Sequence, residues 1–559
     1  MNVGSNTIDV LVVGAGPVGL AMACELLRRG VACRIIDKAA APVQTSRALG
    51  IQARTLEVFE AMGVIDAALA AGTQARGVTF HRGDEDILYI SLQHIREKES
   101  PYPFLLILPQ SQTELILNQQ LQELGGTVER SRELMNIRQE EDWAIAQIKP
   151  SEADTNDIEE IQAKWLIGCD GASSQVRKIL AMPFEGTTAP EEWLLADVDL
   201  DWQRTRETTH GWFTKDGVFA VFPLPTGQWR LFAPAGKRTS EVSVEVFQNL
   251  LRQYTDDTQT TVSHPTWMSK FKVNYRMVDN YRQGHVLVAG DAAHIHSPFG
   301  GQGMNIGIQD AYNLAWKLAL VIQEKARDSL LDTYQEERSP VARFILRGTQ
   351  TATQGVLVTQ NPGLRWVRDR VLVPLLRLNI LQRKLAQEAS ELNVNYRRSS
   401  LSVSTLDPGA DLRTRIAWWK APHAGDRALP GPCLHYPTRD PITLFQAFRG
   451  TESHLLLFAG LTQPNYTHLA NLASNVENEM GSIVKAHIVV PGTDKPTELP
   501  WEGSLLLDPE GTLHTLYGVH KPSLYFIRPD GHIAFRSQPI DEKAFLHYLN
   551  QLFLLQTPA

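Results

Sequence analysis

The chain has few cysteines and no long apolar run, and both absences exclude classes of protein. Its four cysteines, Cys24, Cys33, Cys169 and Cys433, show neither a CxxC pair nor the spacing of metal ligands. We therefore expect reduced thiols in a cytoplasmic protein, and neither a disulfide framework nor a metal site. No apolar stretch reaches the roughly 20 residues that a helix needs to cross a bilayer. A membrane is not expected as a partner.

Excess positive charge is also missing. The 54 lysines and arginines are outnumbered by 62 acidic residues, which gives a net charge of -8. Nucleic acids and anionic membranes attract basic surfaces, so we expect neither as the main partner. The apolar share of 43% is ordinary for a folded globular protein. A chain of 559 residues corresponds to roughly three to four domain-sized units.

A glycine-rich turn follows the first apolar stretch. In order, the segment contains an apolar run over residues 7–13, Gly14, Gly16 and Gly19, a helical pattern over residues 20–29, and a second strand that ends at Asp37. Glycines at this spacing allow a tight turn and close approach of a pyrophosphate, and the acid can accept hydrogen bonds from a ribose. The pattern predicts a Rossmann-like dinucleotide site but does not distinguish NAD from FAD.

A second strand, glycine loop and helix occupy residues 286–318. An apolar run leads into Gly290 and Asp291, and a loop with four helix-breaking residues, Pro298, Gly300, Gly301 and Gly303, precedes an amphipathic helix. Backbone N–H groups and the N-terminus of a helix favour negative charge. We therefore expect this segment to bind an anion or a ring that becomes anionic.

Three smaller motifs each leave two interpretations open. Arg47 and Arg54 precede or begin a helix with Thr55 as a plausible N-cap, and they fit an anion site and a solvated loop about equally. Gln110 opens a helix, where it can bind a polar ligand or lie on the surface. Asp170 ends an apolar strand before Gly171, where it can face a ligand or cap the helix that follows.

The later parts of the chain change character. Aromatic runs separated by turn signals over residues 185–280 predict an antiparallel sheet, of which one face could form an apolar pocket. Residues 332–392 are predicted to be mostly helical, and the polar stretch 398–409 is predicted to be a linker. Beyond it, apolar runs and a final amphipathic helix over residues 541–553 predict a separate α/β unit.

Three motifs together resemble a known family. The motifs are GAGPVG from Gly14, CDGASSQVRK from Cys169 and AGDAAHIHSPFGGQGMNIGIQDAYNLAWKLA from Ala289. In order and spacing they resemble the single-component (class A) FAD-dependent aromatic hydroxylases over about the first 350 residues. The segment KPSLYFIRPDGHIAFR from Lys521 resembles the thioredoxin-like C-terminal domain of phenol hydroxylases and polyketide-tailoring hydroxylases.

The resemblance implies an α/β architecture of two domains. A Rossmann-like FAD-binding monooxygenase domain is expected over residues 1–400, with the substrate-binding antiparallel sheet inserted at about 80–100 and 185–280. A thioredoxin-like α/β domain is expected over residues 410–559. Because this domain has no CxxC pair, we expect a role in packing or in a homodimer, and no disulfide exchange.

The resemblance also implies the cofactors and the site. FAD would be the cofactor, NADPH or NADH and O2 would be consumed, and the substrate would be a phenolic or polycyclic aromatic small molecule. The residues implied to bind the cofactor are Gly14, Gly16, Pro17, Val18, Gly19, Asp37, Lys38, Arg47, Gln110, Leu134, Asp170, Asp291, Gly301, Gly303, Met304 and Asn305. The loop residues Pro298, Gly300 and Gly301 would exclude water while a flavin C4a-hydroperoxide transfers oxygen to the ring.

One position departs from the pattern of simple phenol hydroxylases. They carry an acid in the segment where Leu49 stands here, so a polycyclic or already acidic substrate is more plausible than phenol. His294 and His296 are possible bases, although a structural role is favoured for both. Inactivation of an aromatic antibiotic by the same chemistry stays an alternative. A binding protein without catalysis is disfavoured because Asp170 and Asp291 are both present.

Overall fold

The computed structural model describes residues 7–45, 48–96, 99–151, 158–214, 217–235, 242–297, 301–352, 362–367, 370–371, 373–462 and 464–554. The chain divides into two compact units. The first comprises Met1–Ile95, Tyr102–Tyr312 and Arg338–Leu392, and the second comprises Arg96–Pro101, Asn313–Glu337 and Asn393–Ala559. Among the described residues, no helix is both long enough and apolar enough to span a bilayer.

The strands of the first unit are β1 (Thr7–Val13), β2 (Cys33–Ile36), β3 (Gly50–Ile51), β4 (Thr73–Ala75), β5 (Gly77–Arg82), β6 (Glu85–Ser91), β7 (Leu105–Ile107), β8 (Val128–Glu129), β9 (Arg132–Gln139), β10 (Ala144–Pro150), β11 (Glu159–Gly168), β12 (Phe184–Leu200), β13 (Thr209–Phe213), β14 (Val218–Pro223), β15 (Trp229–Pro234), β16 (Val262–Val278), β17 (Arg282–Gln283), β18 (Val286–Val288) and β19 (His294–Ile295). Short 3₁₀ helices occur at Leu92–His94 and Gly290–Ala292 in this unit and at Asp328–Leu331 in the second.

The helices up to residue 389 are α1 (Pro17–Arg28), α2 (Ala53–Met62), α3 (Ile65–Ala71), α4 (Gln110–Glu123), α5 (Gln175–Ile179), α6 (Val244–Thr255), α7 (Gly303–Ile322), α8 (Asp332–Ala352), α9 (Pro362–Val367), α10 (Val373–Leu375) and α11 (Asn379–Ala389). The expected strand over residues 7–13 and the helix after the glycine turn are both confirmed. The helix begins at Pro17, where a proline costs no hydrogen bond because the first N–H groups of a helix have no intrahelical partner.

A sheet around parallel strands forms the cofactor side of the first unit. Its order is β17-β18-β11-β1-β2-β8, and β10 joins β11 to β9. Strand β1 pairs in parallel with β11 and β2, and β11 pairs in parallel with β18. The central strands are apolar throughout because both faces of such a sheet are covered. Because these strands are parallel, their carboxyl ends meet at one edge of the sheet. Ligands bind at this edge in open α/β sheets.

A second sheet of the first unit contains the aromatic runs. Its order is β19-β16-β12-β15-β14-β13-β5-β6, and all its pairs are antiparallel except β13 with β5. Strand β12 alternates, so Leu194 and Ala196 lie in the apolar cluster that includes α6, whereas Trp193 and Leu195 lie in a separate cluster. The expected sheet is thus confirmed, with one parallel pair. A small third sheet has the order β3-β7-β4.

The helix after Arg47 differs from the expectation. It begins at Ala53 with Gln52 as N-cap, so the prediction that Thr55 caps it was wrong. Arg54 is only 6% exposed, and its guanidinium donates to Glu57 at 3.0 Å. The interpretation of Arg54 as a surface residue of a solvated loop was therefore wrong, because the side chain is buried within a helix and forms an ion pair there. Its role at an anion site stays a prediction. Arg47 lies outside the described residues.

The second unit contains the remaining elements. They are β20 (Val403–Leu406), α12 (Leu412–Lys420), β21 (Pro432–Tyr436), β22 (Asp440–Thr443), α13 (Leu444–Ala447), β23 (Ser453–Phe458), α14 (Tyr466–Met480), β24 (Val484–Pro491), β25 (Ser504–Asp508), α15 (Thr512–Leu516), β26 (Ser523–Ile527), β27 (Ile533–Gln538) and α16 (Glu542–Leu552). The sheet order is β20-β27-β26-β23-β24-β25-β21-β22. Alternate residues of β23 enter two different apolar clusters, so helices cover both faces of this sheet.

The predicted linker at residues 398–409 is partly a strand. Strand β20 pairs in parallel with β27, with Val403 opposite Phe535. A strand was not predicted within this linker, because a strand of only four residues is recognisable only through its distant partner. The expected α/β character of the tail and its final helix are confirmed.

Candidate active site

The turn between β1 and α1 is closely packed except at its centre. A Cβ on Gly14, whose φ is +102°, would lie 2.5 Å from the carbonyl oxygen of Cys169. A Cβ on Gly19 would lie 1.9 Å from the carbonyl oxygen of Gly14. A Cβ on Gly16 would meet no described atom within 4 Å, and no described side chain caps α1. The turn therefore leaves open space at a helix N-terminus, as a pyrophosphate requires.

Asp37 lies where β2 ends and holds this turn in place. Its carboxylate accepts from the backbone N–H of Ala15 at 2.6 Å and of Ala39 at 2.8 Å. Arg130 Nη1 lies 3.8 Å from the same carboxylate. Arg130 was missed from the sequence because a single arginine after a short strand matches no motif. Lys38, which follows Asp37, is exposed.

Asp170 both caps a helix and keeps one oxygen available. Its Oδ2 accepts from the backbone N–H of Gln175 at 2.6 Å and of Val176 at 3.1 Å, so the capping interpretation is confirmed. Its Oδ1 is buried and has no hydrogen-bond partner among the described residues. A buried oxygen without a donor costs about 1–3 kcal/mol, so it is a position where a ligand can donate.

Arg177 joins the loop after β11 to the loop after β18. Its guanidinium donates to the carbonyl oxygen of Ala172 at 2.7 Å and to that of Ala292 at 2.9 Å. The side chain is buried, and its guanidinium carbon lies 3.7 Å from the centre of the Phe184 ring. No role for Arg177 was predicted from the sequence, since one of its acceptors lies 115 residues away.

Asp291 lies in the second of these loops. Its side chain is exposed overall. The protein around its carboxyl group removes water from it, and this desolvation raises the pKa of the carboxyl. Gly290 beside it has a φ of +59°, and a Cβ there would lie 2.8 Å from Cγ2 of Val18. A Cβ on Gly307 of α7 would lie 2.6 Å from the same methyl group. Small residues thus bring α1, this loop and α7 into direct contact.

A buried triad behind Asp291 was not predicted. Asp310 accepts from Arg338 Nε at 2.6 Å and pairs with His294 Nε2 at 2.7 Å, and its Oδ2 also accepts from the N–H of Gly290. Burial opposes ionisation of Asp310, but Arg338 and His294 outweigh it and lower its pKa. The structural interpretation of His294 is therefore supported. The triad was not predicted because three polar residues that lie far apart in the sequence form no motif.

Asn305 connects the start of α7 to the loop at residues 50–52. Its amide donates to the carbonyl oxygens of Gly50 at 2.8 Å and Gly301 at 2.6 Å, and its Oδ1 accepts from the N–H of Gln52 at 2.9 Å. The side chain is thus engaged within the protein, which leaves only its backbone for the implied contact with the cofactor. Met304 beside it is buried.

The other implied residues lie on neighbouring elements. Gln110 opens α4 and donates to Glu114 at 2.7 Å, and its backbone N–H donates to Ala48. Leu134 is buried in β9, so only its backbone is available to a ligand. Pro298 and Gly300 lie outside the described residues, so their implied role stays a prediction. Within the described part of the chain, no cluster of three histidine, cysteine or acidic side chains is arranged to hold a metal ion.

An apolar surface of the aromatic sheet reaches this region. Phe222 of β14 packs both against the cluster with Trp193 and Phe232 and against the cluster that contains Leu49. Leu49 precedes Gly50, the residue that Asn305 holds. The aromatic face and the start of α7 therefore border the same part of the first unit.

Taken together, the loops after β1, β2, β11 and β18 define a dinucleotide site. The open space at Gly16, the start of α1 without a described side-chain cap and the available oxygen of Asp170 all fit a nucleotide cofactor. Comparison with known proteins identifies which one. A family model described as "FAD binding domain" matches residues 7–349.

Related proteins agree with this assignment. The chain is 35% identical to 6-methylpretetramide 4-monooxygenase of Streptomyces rimosus, over 98% of this chain and 94% of that protein. It is 33% identical to pentachlorophenol 4-monooxygenase of Sphingobium chlorophenolicum, over 94% and 93%. A crystal structure of the flavin-dependent monooxygenase PieE in complex with FAD and substrate matches with a TM-score of 0.77 and 25% identity, over 98% and 99%.

The chain therefore belongs to this FAD-binding family, and it is an FAD-dependent monooxygenase of aromatic compounds. The resemblance noted from the three motifs is confirmed. NAD(P)H is the co-substrate typical of these enzymes.

Proposed function

We propose that this enzyme hydroxylates a phenolic polycyclic compound and not a simple phenol. The observation that supports this is Leu49, which is 7% exposed and packs against Ile107 and Leu224. An apolar side chain there supplies no carboxylate to ionise a small phenol, and it extends the apolar wall that the aromatic sheet provides. The relatives include monooxygenases of 6-methylpretetramide and of pentachlorophenol, so the choice against a simple phenol rests on Leu49 and not on the relatives.

The residues around the loops would hold FAD as the motifs imply. Bound FAD would supply the redox chemistry, namely oxidation of NAD(P)H and insertion of one atom of O2 into an aromatic ring, with the other atom released as water. The α1 N-terminus would face the pyrophosphate, Asp37 and Arg130 the adenosine end, and Asp170 and Asp291 the centre of the cofactor. The start of α7, at Gly303, would stabilise negative charge on the ring because its N–H groups have no intrahelical partner. Gly301 and Met304 would border the ring.

The second unit is proposed to be a thioredoxin-like domain without redox chemistry. The parallel pair β23–β24 with α14 between them, followed by the antiparallel pair β26–β27 and α16, supports this. Its only cysteine within the described part, Cys433, is buried, which raises its pKa to about 12. A thiol that stays protonated is a poor nucleophile. A homodimer and a cytoplasmic location stay predictions.

A substrate panel tests the proposal. The purified protein should carry FAD and should couple NAD(P)H oxidation to product with naphthols and hydroxylated polycyclic compounds better than with phenol. Mass spectrometry with isotopically labelled O2 should show one labelled oxygen in the product. Equal coupling with phenol, or consumption of NAD(P)H that yields peroxide with every aromatic compound, would refute it.

A further inference from the structure

Two buried polar atoms, one on β16 and one just after β19, have no partner in the part of the chain that the structure describes. The Nε2 of His296 and the hydroxyl of Tyr275 are both buried without a hydrogen bond to any described residue. Tyr275 is 2% exposed and lies in the apolar cluster with Trp193, Phe232 and Phe271. Leaving a buried polar group without a hydrogen bond costs about as much free energy as losing one hydrogen bond. Two such groups on neighbouring segments therefore call for an explanation.

Strand register relates the two residues. In the antiparallel pair β16–β19, Met277 lies opposite His294 and Arg276 lies opposite Ile295. The next step of this register sets Tyr275 opposite His296. Residues directly opposite each other point to the same face of a sheet. Both side chains therefore belong to the aromatic face and not to the face that packs on α6.

The position of His296 relative to α7 is also defined. A Cβ built on Gly303 would lie 3.8 Å from Cε1 and 3.9 Å from Nε2 of His296. The imidazole thus borders the first residue of α7, the helix whose start is proposed above to face the flavin ring. Tyr275 lies opposite His296 in this register and also belongs to the apolar cluster that would receive an aromatic compound.

The hydrogen bond at the other ring nitrogen determines the tautomer. His296 Nδ1 lies 2.9 Å from the carbonyl oxygen of Ser297, and a carbonyl can only accept, so Nδ1 carries the proton. Burial lowers the pKa of His296 to about 4, with a further contribution from His294, against an opposing effect of Asp310 on α7. The ring is therefore neutral near pH 7 and presents the lone pair of Nε2 as an acceptor.

We propose that His296 Nε2 accepts the hydrogen bond of a phenolic hydroxyl of the substrate, and that the Tyr275 hydroxyl donates to the same oxygen. This deepens the proposed function, on which it rests: the substrate must present a free phenol to the start of α7. An acceptor on the hydroxyl draws its proton away and makes the ring more electron-rich. His296 would thus supply the polarisation for which Leu49 offers no carboxylate.

A binding cycle with two probes tests this without turnover. The probes are 1-naphthol and its methyl ether, which can accept a hydrogen bond but cannot donate one. Binding to the FAD-loaded protein is followed by titration calorimetry. Wild type should bind 1-naphthol roughly 3- to 10-fold more tightly than the ether, as expected for one neutral hydrogen bond.

The variants distinguish the two residues. His296→Leu should abolish the preference for 1-naphthol, and His296→Gln, whose amide oxygen can accept, should restore part of it. Tyr275→Phe should weaken both probes about equally and leave the preference unchanged, since both oxygens can accept from Tyr275. His264→Leu, at a side chain that is 82% exposed, is the matched control and should change neither.

Several outcomes overturn the proposal. It fails if wild type shows no preference for 1-naphthol, if His296→Leu retains the preference, or if Tyr275→Phe binds both probes as tightly as wild type. Flavin content and thermal unfolding identify a variant that does not fold. If one of the variants at His296 and Tyr275 does not fold, the variants that do fold decide whether the proposal holds. If the binding cycle succeeds but no product forms with naphthols, the proposed function fails, and only the hydrogen bonds of His296 and Tyr275 to a phenolic ligand are supported.

Discussion

Arg177 and Ala292 connect two loops that are 115 residues apart in the chain, through a 2.9 Å hydrogen bond from the guanidinium to the carbonyl oxygen. One loop carries Asp170 and the other carries Asp291. The guanidinium donates to a backbone carbonyl in each loop, at Ala172 and at Ala292. The relative position of the two carboxylates therefore depends on a buried cation that acts through the backbone of both loops.

Arg177→Met should weaken FAD binding without abolishing the fold. Hydrogen bonds from a charged donor contribute about 1.5–3 kcal/mol, so loss of both loop contacts should raise the Kd for FAD by roughly 10- to 100-fold. Reconstitution of the apoprotein, followed by flavin fluorescence, measures this. Lys178→Met, at the exposed neighbour, is the control and should bind FAD like wild type. Equal affinity for Arg177→Met and Lys178→Met would contradict the role of Arg177.

Gly16→Ala and Gly19→Ala should fail in different ways. The Cβ that Gly19→Ala introduces would overlap the carbonyl oxygen of Gly14, so this change should reduce the free energy of unfolding by about 1–3 kcal/mol.

The Cβ at position 16 meets no described protein atom, so Gly16→Ala should leave apoprotein stability nearly unchanged and reduce flavin content. Denaturant unfolding of the apoproteins and flavin absorbance of the purified holoproteins measure the two effects. Similar unfolding curves for both variants would show that packing does not distinguish these glycines.

Asp310→Asn should destabilise the protein strongly. It leaves the buried Arg338 without its carboxylate, and removing one partner of a buried ion pair costs about 3–5 kcal/mol. Thermal unfolding of the FAD-loaded protein should show a lower Tm together with partial loss of flavin, since Asp310 also accepts from the N–H of Gly290. Glu388→Gln, on the exposed pair with Lys384, is the control. A Tm shift no larger than that of the control would contradict this role.

Two buried histidines of the second unit should make stability depend on pH. His454 Nδ1 lies 3.1 Å from His487 Nε2, and burial lowers the pKa of His454 to about 4 and that of His487 well below its usual value. The unfolded chain binds these protons near pH 6.5, whereas the folded chain does not. The free energy of unfolding should therefore be highest above pH 6.5 and fall as the pH drops toward 4, by about 1.4 kcal/mol per pH unit for each histidine.

Denaturant unfolding at a series of pH values from about 7.5 to about 5 measures the slope. In His454→Phe the slope of the free energy of unfolding against pH should be smaller by about 1.4 kcal/mol per pH unit, the contribution of one histidine. The change His264→Gln, at an exposed side chain, should leave the slope unchanged. A slope for His454→Phe that equals that of wild type would show that His454 is protonated in the folded state.

Much of the cofactor site was predictable because its motifs are local. The strand, glycine turn and helix over residues 7–28 and the apolar strand just before Asp170 are each continuous segments of the chain, so periodicity and turn chemistry reveal them. The capping role of Asp170 was also predictable from the local sequence, because the helix that it caps begins five residues later. The N-cap of the helix that begins at Ala53 was predicted at Thr55, three residues too late, because the actual N-cap, Gln52, is held by a contact with Asn305, 253 residues away.

By itself, the sequence determined the order of strands, glycine turns and helices, because these signals depend on neighbours along the chain. The resemblance of its three motifs to a known family, and not this order alone, implied FAD. Only the tertiary structure decided which polar residues meet. The triad of His294, Asp310 and Arg338, the loop contact of Arg177, and the buried atoms of Tyr275 and His296 that no described residue satisfies all arise from strand order and helix packing. Such contacts join distant residues through burial and register, and no local pattern in the chain encodes them.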